Sequence, residues 1–154
     1  MIAAAGLHPS CRRLIVVADL RERWTDALRA AGFDGHRPTV WLAEGLLVYL
    51  DTDIVERLLA AVAAASLTGS RFGVTIRNEL GEQQRDDPTA DPYAECHALW
   101  RSVGNIDVVD WLDDTGWNTS TSTPRETLLA QGRDDAAMPA RVDQPLLVHA
   151  SRAP

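Results

Sequence analysis

The sequence predicts an α/β fold with a mainly parallel sheet covered by helices on both faces. Three observations point there. Short β-branched runs alternate with segments of helical periodicity, several helical segments stop at a glycine, and two strand ends carry an acidic residue. The chain has 154 residues, 45% hydrophobic and 24% charged, which suits one folded domain over residues 1–154.

Arg13 to Ala18 is a β-branched run ending at Asp19 and predicts a buried strand. Trp24, Ala27, Leu28 and Ala31 recur at helical spacing, with Gly32 placed to stop the helix. Pro38 to Ala43 predicts a second strand, closed by Glu44-Gly45. Asp51 or Thr52 can cap the next helix, whose Ile54, Val55, Leu58, Leu59 and Val62 form one apolar stripe ahead of Ser66 and Gly69. Arg71 to Ile76 predicts a third strand.

Asn78 to Pro92 is polar and reads as a loop, followed by a helix around Tyr93 to Arg101. Asp107 to Thr115 is a capped helix with Val108, Trp111 and Leu112 on its apolar face and Gly116 as its stop. Trp117 to Thr123 predicts a threonine- and serine-rich edge strand. Pro124 opens a short helix through Gln131, Gly132 to Asp143 is a connector, and Pro145 to Ala150 predicts the last strand.

The net charge of −7 argues against a nucleic-acid partner, which would need clustered positive charge. No apolar run approaches the roughly 18–20 residues a bilayer requires, and Arg12 and Arg13 follow the apolar start instead of preceding it. A cytoplasmic protein with no membrane partner is expected. Cys11 and Cys96 match no metal or redox spacing and read as reduced thiols, so no metal is expected.

In parallel sheets, ligands sit beyond the carboxyl ends of the strands, which selects Asp19-Leu20 and Glu44-Gly45. An aspartate there can accept hydrogen bonds from a ligand amino or hydroxyl group beside an apolar leucine wall; the local sequence taken alone favours the other reading, that it caps a turn or the following helix. Glu44 can face an ammonium group or stabilise its own turn. His8, His36, His97 and His149 are scattered, and none stands out as a general base, so the catalytic residues remain open.

The runs Val17-Ala18-Asp19-Leu20-Arg21 and Trp41-Leu42-Ala43-Glu44-Gly45-Leu46-Leu47-Val48-Tyr49-Leu50 closely resemble the actinobacterial S-adenosyl-L-methionine-dependent methyltransferases related to leucine carboxyl methyltransferases. Asp107-Val108-Val109-Asp110-Trp111-Leu112 with Gly116-Trp117, and the ending around Leu147-Val148-His149-Ala150, are similar to later parts of that family. The resemblance covers residues 12–152.

The resemblance implies a class I methyltransferase, a Rossmann-like sheet, with S-adenosyl-L-methionine as cofactor and a small-molecule or carboxylate acceptor as substrate. Asp19 and Leu20 match the pair that lies against the adenine, and Glu44 matches the acidic residue near the methionine part. Tyr49 belongs to the same motif and is assigned no chemistry. The family's glycine-rich G-x-G-x-D loop and its first strands have no counterpart here; the only glycine ahead of Asp19 is Gly6. Such glycines let backbone amides approach the ligand, so weak or lost activity is expected.

The implied strand order, 3-2-1-4-5-7-6, separates the Arg13–Ala18 strand from the Pro38–Ala43 strand by two that are missing. Either these two pair directly, or the first hangs loose and leaves the second as an apolar edge open to self-association. The alternative to an enzyme is a non-enzymatic remnant acting as a binding or dimerisation module. A different nucleotide-binding α/β protein would need a P-loop or G-x-G-x-x-G, and neither is present.

Overall fold

The computed structural model describes residues 11–76, 99, 101, 106–133 and 145–153. The chain divides into two compact units, Met1–Asp34 and Gly35–Pro154.

In the first unit the expected helix forms as α1, Trp24–Ala30. Its end follows the predicted glycine. Gly32 adopts φ +96°, and the Phe33 and Gly32 amides donate to the Leu28 and Arg29 carbonyls at 2.9 and 3.0 Å, closing the last turn as a Schellman motif. The strand expected over Arg13–Ala18 does not form. Leu14, Ile15 and Val17 are 53%, 78% and 94% exposed. A β-branched run becomes a strand only when a neighbour completes its ladder, and no described strand pairs with this one.

The second unit holds a four-stranded sheet: β1 (Val40–Ala43), β2 (Arg71–Ile76), β3 (Trp117–Ser122) and β4 (Leu146–Arg152). Its order is β1-β2-β4-β3, the same as the 4-5-7-6 half of the order the resemblance implies. The expectation of a mainly parallel sheet is corrected. β1 and β2 pair in parallel through α2 (Thr52–Ala64), whereas β4 runs antiparallel to both β2 and β3. Alternating strands and helices suggested parallel crossovers throughout, but β4 inserts between β2 and β3 against their direction, giving a mixed sheet.

Register puts Trp41, Ala43, Phe72, Val74, Val148, Ala150 and Trp117 on one face. This is the buried face. The stripe Ile54, Val55, Leu58, Leu59 and Val62 of α2 is buried, as are Val108 and Leu112 of α3 (Val108–Asp114). The Trp41 indole N–H donates to Ser66 Oγ at 2.9 Å, and Ser66 donates to the Val62 carbonyl at 2.7 Å, strapping β1 to the end of α2. Trp117 packs on Phe72 with centroids 6.3 Å apart, while the Arg152 guanidinium lies 5.4 Å from the Trp117 ring centroid.

On the opposite face several side chains stand exposed among the described residues. Val40 and Leu42 are 76% and 75% exposed there, and His149 and Ser151 are exposed as well. Among the described residues β1 pairs only with β2 and lies at an edge of the sheet.

Of the two caps read from the sequence, the one at Asp107 forms through its side chain. Asp107 Oδ1 accepts from the Val109 and Asp110 amides at 2.9 and 3.1 Å at the start of α3. Thr123 and Glu126 form a reciprocal capping box on α4 (Pro124–Ala130). Asp51 occupies the cap position of α2, but its side chain makes no capping bond and instead meets Arg101 at 3.6 Å. A short 3₁₀ turn, Leu47–Tyr49, was not expected; it buries Leu47. The Asn78–Pro92 loop lies outside the described residues, as do most of the Tyr93–Arg101 helix and of the Gly132–Asp143 connector.

Candidate functional site

β1 and β2 run in parallel, so their carboxyl ends share one rim of the sheet. Glu44 follows β1 directly and is exposed at that rim, as expected. Gly45 turns the chain in the left-handed region at φ +59°, a conformation that costs a residue with a Cβ about 1 kcal/mol or more. Its amide donates to Thr75 Oγ1 at 2.7 Å, tying the corner to the last turn of β2 before its end. Ala43 on the other side of Glu44 is buried. Glu44 is thus an exposed carboxylate on a backbone held at both neighbours, able to receive an ammonium group.

The Asp19-Leu20 pair lies in the first unit and Glu44 in the second. With the Arg13–Ala18 strand absent, Asp19 is not at a strand end; it organises a turn. Its Oδ1 accepts from the Arg21 amide and Nε at 2.9 and 3.0 Å, and its Oδ2 from Nε and Nη2 at 3.1 and 2.6 Å. The Glu22 amide donates to its carbonyl at 3.0 Å. The hydrogen bond from the Arg21 side chain, followed by that from its amide, holds the Asp19 carboxyl at about 2 against an ordinary 3.8. A carboxylate offers about four lone-pair directions. Three N–H groups of Arg21, the amide, Nε and Nη2, share these oxygens, with Nε bifurcated between the two. Leu20 beside it is half-buried.

Tyr49 is 44% exposed, and His36 and His149 are exposed. His8, His97 and Cys96 lie outside the described residues. Among the described residues no group of three or more His, Cys, Asp or Glu could hold a metal ion, and no helix is long and apolar enough to cross a membrane. Sequence reasoning missed Thr75: it sits inside a strand, and only the register of β1 on β2 brings it to Gly45.

Residues 1–63 match the family model described as leucine carboxyl methyltransferase. The chain is 43% identical over 135 residues to a Streptomyces avermitilis protein named "putative S-adenosyl-L-methionine-dependent methyltransferase", covering 88% of this chain and 47% of that one. It is 46% identical over 124 residues to a Frankia alni protein of the same designation, covering 80% and 42%. A third so named, from Mycobacterium tuberculosis, is 37% identical over 139 residues, covering 86% and 45%. The chain spans less than half the length of these relatives. Over most of its own length, the chain is related in sequence to the actinobacterial methyltransferases of the leucine carboxyl methyltransferase group.

Proposed function

We propose that this chain carries part of an S-adenosyl-L-methionine site and takes part in methyl transfer to a small-molecule or carboxylate acceptor, in the cytoplasm. The observation that carries the reading is the Glu44-Gly45 corner: an exposed carboxylate at the carboxyl rim of the parallel pair, within the stretch that matches the family. The cofactor's sulfonium would supply an activated methyl group, so the protein's task is mainly to hold and align it. Glu44 would pair with the amino group of the cofactor's methionine part. By the resemblance, Leu20 and Asp19 would lie against the adenine, Leu20 as an apolar surface and Asp19 as an acceptor for a ligand donor.

Within these 154 residues no glycine-rich loop brings backbone amides to the cofactor, so this reading expects weak binding when they are tested alone. The test is calorimetric titration of the chain with S-adenosylhomocysteine, alongside Glu44→Gln and Asp19→Ala. Saturable binding weakened by both substitutions is expected; a folded chain that does not bind would sink the reading.

Self-association belongs to the same proposal. Among the described residues β1 is an edge strand whose Val40 and Leu42 are exposed, the arrangement that invites a strand from a second copy. Light scattering across a concentration series should show dimers accumulating, and a monomer throughout would count against it.

A further inference from the structure

The backbone ladder between β1 and β2 ends at Ala43 opposite Val74. Two residues beyond Ala43, the left-handed turn at Gly45 carries the chain out of the ladder, and the Gly45 amide is received by a side chain, Thr75 Oγ1, at 2.7 Å. We infer that Thr75 is the positioning residue for Glu44. Its hydroxyl fixes the corner after β1 and so fixes where the Glu44 carboxylate stands.

A β-branched side chain in a strand is stiff about χ1, so Thr75 presents its oxygen in one place and serves as a fixed anchor. Glu44 lies between that anchored amide and buried Ala43, which leaves its backbone little freedom while the side chain remains exposed. Holding a binding group in place before the ligand arrives lowers the ordering cost of binding. Thr75 acts through Glu44, so the inference rests on the reading that Glu44 faces the ligand.

The experiment uses the whole chain with Thr75→Val, which keeps the shape and removes the acceptor, and Thr75→Ser, which keeps the acceptor. Amide exchange by NMR is followed at Gly45, with Val148 in the centre of the sheet as the control for global stability. Thr75→Val should speed exchange at Gly45 about tenfold or more while Val148 is unchanged, and Thr75→Ser should stay close to the parent. Equal exchange at Gly45 in all three proteins overturns the inference.

Titration with S-adenosylhomocysteine supplies the second readout. Thr75→Val should weaken binding roughly three- to tenfold in the parent and add nothing in a Glu44→Gln background, since a residue acting through Glu44 loses its effect when Glu44 is gone. The same loss in both backgrounds would mean a merely structural role and overturn the inference. The two readings fail separately. A parent that binds no S-adenosylhomocysteine while Gly45 responds to Thr75→Val sinks the ligand role of Glu44 and upholds the tether. Binding that depends on Glu44 but not on Thr75 upholds the ligand role and sinks the tether.

Discussion

The Ser70 hydroxyl accepts a hydrogen bond from the Thr39 amide at 3.0 Å, across 31 residues of sequence. Ser70 is fully buried, and its carbonyl accepts from the Arg152 amide at 2.9 Å, while the Arg71 amide donates to the Thr39 carbonyl at 2.8 Å. The entry to β1, the entry to β2 and the end of β4 therefore meet at one serine. Ser70→Ala would leave the Thr39 amide without its acceptor and should cost about 1–3 kcal/mol in urea denaturation. An unchanged midpoint would show that water replaces the hydroxyl.

Leu59 is 1% exposed in the middle of the α2 stripe. Leu59→Ala removes a packed side chain and leaves a cavity, so a loss of about 2–5 kcal/mol is expected from the same denaturation. A loss well under that range would mean that the covered face of the sheet can collapse onto the space.

Asp107→Ala removes the acceptor for two amides at the start of α3 and should cost about 0.5–2 kcal/mol. Asp107→Ser, which keeps an acceptor, should recover most of it. If both variants melt together, the cap contributes little here.

How much of this was legible in the sequence depended on whether the deciding contact was local. The stripe of α2, the Asp107 cap and the Gly32 stop are set within a few residues, and each was found where its pattern put it. The Arg13–Ala18 segment carries the same local signal as β1, yet only β1 has a partner in β2; pairing is a long-range fact that composition does not carry. Glu44 stands at the strand end that the pattern of apolar run, acid and glycine indicated. The turn at Asp19 was one of the two readings of that residue, whereas its pairing with the Arg21 side chain was not read.

The depressed carboxyl of Asp19 gives a pH test. Its folded value of about 2 lies below the ordinary 3.8, so its contribution to stability is present above the ordinary range and is lost as pH falls from there through about 2. A carboxyl-carbon NMR titration should place its midpoint near 2, and Arg21→Ala should return it toward the ordinary value. A midpoint already ordinary in the parent would show that the contacts with Arg21 do not persist in solution.

Leu42 and Val40 offer a test of the open edge. Leu42 is exposed, with its Cδ1 lying 3.2 Å from where a Cβ on Gly73 would stand. Leu42→Lys together with Val40→Lys should leave stability within about 0.5 kcal/mol, since neither side chain is covered. The same pair should abolish concentration-dependent dimers in light scattering, because charge on an edge strand blocks pairing. Dimers that survive would place the contact elsewhere.

The antiparallel pairing of β2 with β4 also has a consequence in time. Val74 meets Val148 across roughly seventy residues of intervening chain, a loop whose closure must precede any gain from the ladder. During synthesis β1, α2 and β2 leave the ribosome well before β4 exists. Phe72 and Val74 must wait without their central neighbour, and β4 completes the sheet only as the last described residues emerge.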